Sequence, residues 1–170
     1  TKQEIKKYID LIQNLNSSKA VQLNSDLSLE SQLKEIKKIN NEYNESSKIQ
    51  KNKEKVSVEK IGKLNLIYLL ANDYPSKSQK LFIDDQKRIF PNESIIILVS
   101  ADKYKVSIII GLTEDLTNIF DATELVKIAS SIVGGKGGGG RKDLAQAGGN
   151  IPENANQIYE VLKNEIMKLM

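Results

Sequence analysis

Residues 95–110 read Ile-Ile-Ile-Leu-Val-Ser-Ala-Asp-Lys-Tyr-Lys-Val-Ser-Ile-Ile-Ile, and this stretch sets the fold. The run 95–99 is apolar at every position, the pattern of a strand buried on both faces. Asp102-Lys103 makes a short connection, and 106–110 is a second β-branched run. The two are therefore predicted to pair as an antiparallel hairpin closed by Gly111. Upstream, 64–70 is a third apolar strand. Pro75-Ser76 then turns the chain into a helix over 78–90, with Phe82, Ile83, Ile89 and Phe90 as apolar contacts, and Pro91-Asn92 ends it. Strand, helix and strand in that order imply a parallel pair with a right-handed crossover.

Downstream, Asp121 is placed to cap a helix, with Glu124 where a capping box needs it and Phe120 able to staple to Leu125. Leu125, Ile128, Ala129 and Ile132 form the buried stripe of that helix, and Gly134 is its C-terminal stop. A last amphipathic helix runs from about Glu153, with Ala155, Ile158, Leu162, Ile166 and Leu169 on one face. The expected fold class is α/β: a small mixed β-sheet with flanking helices, preceded by an α-helical, coiled-coil-like arm. The expected domains are 1–60, the arm, and 61–170, the globular part. In the arm Ile5, Tyr8, Ile12 and Leu15, then Leu29, Leu33, Ile36, Asn40 and Tyr43, recur at three and four residues. So narrow a stripe does not fold alone. It packs on itself, on the following domain, or on a second copy as a homodimer through residues 1–60.

The chain of 170 residues has no cysteine and no histidine. Thiolate chemistry, the usual zinc sites, Ser-His-Asp triads and imidazole acid–base catalysis are thereby excluded, and neither catalytic nor metal-binding residues are expected. No apolar run approaches the roughly 20 residues that span a bilayer, so no membrane partner is expected. A reducing, cytoplasmic location is the simpler expectation. The first residue is Thr1, and the chain is expected to be a piece of a longer protein. The net charge is only +3, so affinity for a polyanion must come from local clusters.

The densest cluster is 134–149, GGKGGGGRKDLAQAGG. Glycine loses more entropy on ordering than any other residue, so such a run is either a flexible linker or a place of close backbone approach. Against a linker stand the apolar segment Leu144-Ala145-Gln146-Ala147 and the cations Lys136, Arg141 and Lys142. Bare main-chain amides beside cations are what a phosphate-binding nest requires. Gly135, Gly137 and Gly140 match the dinucleotide spacing, but a helix rather than a strand precedes them. Lys136 is followed by Gly137 rather than Ser or Thr, which fails the P-loop pattern.

The candidate ligand is therefore a nucleic-acid backbone. The candidate binding residues are Gly134, Gly135, Lys136, Gly137, Gly138, Gly139, Gly140, Arg141, Lys142, Gln146, Gly148 and Gly149. Gln146 either meets a base edge or 2′-hydroxyl or satisfies loop backbone, and Asp143 is an internal partner for Arg141 or a loop N–H. On this reading Gly138→Val removes binding and spares the fold.

With these residues quoted, a resemblance can be stated. The glycine segment with Arg141, Asp143 and Ala145-Gln146-Ala147-Gly148-Gly149 resembles the C-terminal domain of alanyl-tRNA synthetase, of the DHH-associated domain type. So do residues 106–116 and Glu124-Leu125-Val126. The resemblance runs from about Lys63 to Met170. That family commonly has Arg-Pro-Asp where this chain has Arg141-Lys142-Asp143, and its first glycine block is one residue shorter.

The resemblance implies a non-catalytic RNA-binding module whose partners are tRNA-Ala, at the outer corner where the D and T loops meet, and the remaining domains of the synthetase. The parent enzyme would be a ligase joining alanine to tRNA-Ala with ATP, its Mg and Zn held in other domains; no cofactor is expected in this fragment. Two alternatives stay open. One is the nucleic-acid-binding C-terminal domain of a DHH-family phosphoesterase, and the other is a purely structural dimerisation module.

Overall fold

The computed structural model describes residues 1–15, 28–53 and 55–170, with the side chains of 11–15 excepted. The chain divides into two compact units, Thr1–Ser47 and Lys48–Met170. In the first, helix α1 (Lys2–Leu15) and the first part of helix α2 (Leu29–Lys53) share an apolar contact. Ile5 and Ile36 are buried there, with Ile9, Leu33 and Ile39 packed around them. The stripe is thus partly satisfied within the chain, while Tyr8 and Leu29 remain exposed. The expected contacts of Ile12 and Leu15 fall outside the described side chains.

The second unit is built on a six-stranded sheet in the order β1-β2-β3-β4-β6-β5. Its strands are β1 (Ser57–Ile61), β2 (Leu64–Asn72), β3 (Ser94–Ala101), β4 (Val106–Leu112), β5 (Gly138–Arg141) and β6 (Leu144–Gly149). Only β2 and β3 pair in parallel, joined through helix α3 (Ser76–Ile89); the other pairs are antiparallel. The 95–110 stretch forms the expected hairpin, with Val99 opposite Ile108 and Ile97 opposite Ile110.

The alternation of side chains in β2, β3 and β4 divides the core between two faces. One face carries Leu66, Tyr68, Ile97, Ile108 and Ile110 and is covered by helices α4 (Ala122–Ile132) and α5 (Ile158–Leu169). The other carries Ile67, Leu69, Ile96, Leu98 and Ile109 and is covered by Phe82 and Ile83 of α3. Burial on both sides explains why these strands read as nearly continuous apolar runs. Ala155, Ile158, Leu162 and Ile166 are buried as expected, whereas Leu169 is exposed.

Two expectations are corrected. Residues 57–60 belong to a strand rather than to the arm: β1 pairs with β2 through the two-residue turn Gly62-Lys63, in which Gly62 has φ +61°. The hairpin turn needs that left-handed conformation, which glycine takes without penalty. The glycine segment, expected as a loop, is also a hairpin, made of the last two strands of the sheet.

Candidate nucleic-acid interface

The segment begins where α4 ends. Asp121 caps that helix, accepting hydrogen bonds from the Thr123 N–H at 2.8 Å and the Thr123 hydroxyl at 2.6 Å. The hydroxyl bond, aided by the charges of Lys142 and Lys127, holds the Asp121 carboxyl below the usual aspartate range. At the other end the Gly134 N–H donates to the Ser131 carbonyl at 3.4 Å and the Gly135 N–H to the Ser130 carbonyl at 2.8 Å. This is the Schellman arrangement, with Gly134 at φ +72° supplying the left-handed residue. The expected phosphate nest over 134–140 is corrected accordingly, because the first two of its amides are spent on the helix.

The second glycine pair is held by the same helix end. The Asn150 and Ile151 N–H groups both donate to the Val133 carbonyl at 2.9 Å. A side chain on Gly149 would run into that carbonyl, and one on Gly135 would run into the Gly148 carbonyl and the Ser130 hydroxyl. Ser130 itself is fully buried, and its hydroxyl donates to the Gly148 carbonyl at 2.9 Å. It ties α4 to β6, a role that a serine in a helix does not announce in sequence.

Between these anchors β5 pairs with β6, and each glycine of β5 has a definite surrounding. Gly138 and Gly140 stand opposite Ala147 and Ala145, and side chains there would strike the backbone of β6. Gly139 stands opposite Gln146, and among the described residues beyond its chain neighbours no atom lies within 4 Å of the space a side chain would take. The close approach that the glycines permit is therefore, at Gly138 and Gly140, an approach of the chain to itself. β5 is the last strand of the sheet. Its residues are all exposed, and one side of its main chain has no neighbouring strand among the described residues.

The turn Lys142-Asp143 connects the two strands. Arg141 is 74% exposed and holds the Asp143 carboxylate through Nε at 3.1 Å and Nη2 at 3.2 Å. Asp143 is thus the internal partner the sequence indicated. Its carbonyl also accepts hydrogen bonds from Lys87 Nζ at 3.3 Å and from the Leu112 N–H at 2.8 Å. The Lys142 carbonyl accepts one from the Ala122 N–H at 2.9 Å, leaving the Lys142 side chain exposed. Lys136, before β5, is exposed as well.

The structure therefore brings Lys136, Gly137, Gly138, Gly139, Gly140, Arg141, Lys142 and Gln146 onto one exposed hairpin, while Gly134, Gly135, Gly148 and Gly149 form its seam with α4. The sequence reading missed Lys80 and Lys87. They are seven residues apart on α3 and flank the hairpin, a spacing that keeps them on one helix face. Among the described residues no group of three or more His, Cys, Asp or Glu side chains is arranged to hold a metal ion. None of the described helices is long and apolar enough to cross a membrane.

Comparison with known proteins adds the family. The DHHA1 domain profile matches residues 63–168. The chain belongs to the DHHA1 domain family. Its DHHA1 domain is similar to the alanine–tRNA ligase of Hyphomonas neptunium, 39% identical over 105 residues. It is also similar to that of Parvibaculum lavamentivorans, 34% identical over 112 residues. These matches cover 62% and 66% of this chain but only 12% and 13% of those ligases.

In fold, the chain resembles the C-Ala domain of Aquifex aeolicus alanyl-tRNA synthetase. The TM-score is 0.59 at 24% identity, over 64% of this chain and 96% of that one. It also resembles the DHH domain of a member of the s1p family of ribosomal proteins, with a TM-score of 0.51 at 15% identity over 78% of this chain and 33% of that one. The glycine hairpin lies wholly inside residues 63–168, which match the DHHA1 domain family.

Proposed function

We propose that this chain is the tRNA-gripping C-terminal domain of an alanine–tRNA ligase, binding RNA with no chemistry of its own. The observation that carries this reading is the exposed outer edge of β5, a strand with three glycines and no side chain before Arg141, with Lys136, Arg141 and Lys142 around it. A polyanionic strand can approach such an edge to hydrogen-bonding distance of the main chain, and the three cations displace its counterions.

The named relatives support tRNA as the ligand, and tRNA-Ala as the cognate one. Alanine activation, with its ATP, Mg and Zn, belongs on this reading to other domains of the ligase, working in the cytoplasm. The phosphoesterase alternative is supported by fold alone, at 15% identity. A structural dimerisation role is weakened by the packing of Ile5 and Ile36 within the arm's own hairpin.

Titration of the chain with tRNA-Ala, a non-cognate tRNA and single-stranded DNA, beside sedimentation, tests the proposal. With about three phosphate contacts, affinity for tRNA falls with salt at a log–log slope of roughly −2 to −3. A dimer that binds none of the three nucleic acids would overturn the reading in favour of assembly.

A further inference from the structure

Beside the glycine hairpin lies a depression that the phosphate contacts do not use. Ile109, Gln146 and Gly139 form a row across β4, β6 and β5, each paired directly with the next. Directly opposed residues share a face of the sheet, and Ile109 belongs to the core on the α3 face. Helix α3 covers the inner part of that face and stops short of the hairpin. The gap is a cavity of about 150 Å³, floored by Ile109 and Leu144, walled by Gln146 and the main chain of Gly139, Gly140 and Ala145, and bordered by Lys80 of α3.

This volume is below the several hundred Å³ of a site for a drug-sized ligand and suits one flat ring system. Its chemistry is specific in kind: an aliphatic floor, a bare peptide wall, one amide with both donor and acceptor, and one ammonium at the rim. An unpaired nucleobase meets each of these. Its ring lies on Ile109 and Leu144, its polar edge faces the Gln146 amide, and the phosphate of its own nucleotide reaches Lys80. Proteins that read structured RNA take splayed bases from loops in this manner.

We infer that this cavity is a base-binding pocket for one unstacked nucleotide of the bound RNA, with Gln146 reading the base and Lys80 holding its phosphate. The inference rests on the RNA-binding function proposed above and adds to it a base contact beside the backbone grip. It gives Gln146 a ligand role, gives Lys80 a role the sequence did not indicate, and explains the open space at Gly139. In that space a side chain would meet no protein atom and would stand in the way of the base.

The test uses the whole chain and a tRNA-Ala transcript probed with base-modifying reagents. One loop base is expected to be protected by the wild-type protein and to become reactive again with Gly139→Val and with Gln146→Leu. Each of these variants should bind about tenfold more weakly with an unchanged salt slope, whereas Lys80→Ala should flatten the slope by about one. Because Gly139 has an ordinary φ and open surroundings, its valine variant is expected to fold, and Gln146→Leu repeats the test without altering a glycine. A wild-type protein that binds tRNA but protects no base dependent on Gly139 or Gln146 overturns the pocket alone. A wild-type protein that binds no tRNA overturns the RNA reading and the pocket with it.

Discussion

Arg141 grips Asp143 with two nearly parallel hydrogen bonds, 3.1 and 3.2 Å long, across the tip of the glycine hairpin. The guanidinium that stands nearest the proposed phosphate path is therefore already half neutralised. Exposed ion pairs add little to stability, so this one matters through the charge it presents. Removing the arginine alone leaves the Asp143 carboxylate with only Lys87, 3.8 Å away, to offset its charge against a polyanion. Arg141→Ala is expected to weaken tRNA binding and to lower the salt slope by about one, while Asp143→Asn is expected to tighten binding and steepen the slope. Filter-binding titrations over a salt series check both; equal affinity of Asp143→Asn and wild type would place the tip away from the RNA.

The glycines divide into those the fold needs and those it does not, and the division is measurable. Gly138→Val places a branched side chain against the Gln146 carbonyl and Ala147, so the expectation that this change spares the fold is withdrawn. It should cost about 1–3 kcal/mol, the usual range for overpacking. Gly139→Ala should lie within about 1 kcal/mol of wild type and on the stabilising side, because alanine restricts the unfolded chain. Urea unfolding of the two variants checks this, and equal destabilisation by both would contradict the assigned surroundings.

How much of this was legible beforehand follows from what each element shows in its side chains. The strands 64–70, 95–99 and 106–110 are buried on both faces and announce themselves by short runs that are almost wholly apolar, β-branched in the second and third. Helix α4 was legible at both ends, because Asp121 and Gly134 are local signals acting on their own backbone. β5 and β6 were not. Glycine has low strand propensity and no side chain to alternate, so a strand of three glycines reads as loop, and only its pairing partner reveals it.

β1 was hidden by its charged residues, although Gly62 two residues before the apolar run was a usable hairpin signal. At the site, the cations and Gln146 were visible as residue types. The crowding of Gly135 by Ser130, and the flank of α3 overlooking the hairpin, are tertiary facts that no local pattern carries.

The far edge of the sheet supplies a test of stability against pH. The Tyr68 hydroxyl is buried with no hydrogen-bond partner among the described residues, and burial pushes it up to about 12. Tyr159 packs on it with ring centroids 4.8 Å apart. Burial first, then the hydrogen bond it donates to Glu59, pushes Tyr159 up to about 12 as well. Both folded values lie above the ordinary 10.0, so the stability they contribute is complete below pH 10. It is lost between about pH 10 and 12, where the unfolded chain ionises first. Tyr68→Phe removes an unsatisfied buried hydroxyl and is expected to be at least as stable as wild type at pH 7, with a shallower decline above pH 10. Thermal melts from pH 7 to 11.5 check it; a marked loss at neutral pH would mean the hydroxyl has a partner after all.

The turn at the hairpin tip offers the last test, because it separates fold from binding at one residue. Lys142 is the first central residue of the Lys142-Asp143 turn, and neither turn residue has positive φ. That excludes types II, I′ and II′ and is compatible with type I, whose first central position suits proline. The contact Lys142 makes with Ala122 uses its carbonyl, which proline keeps. Lys142→Pro should therefore preserve the hairpin and stabilise the domain by about 0.4–1 kcal/mol through loss of unfolded-state freedom. It also deletes one exposed cation beside β5, so tRNA affinity should fall and the salt slope should flatten by about one. Chemical denaturation and a salt-dependent titration of the same variant read the two effects separately. Destabilisation would show that the Lys142 N–H or its φ is needed by the turn, and an unchanged slope would remove Lys142 from the phosphate contacts.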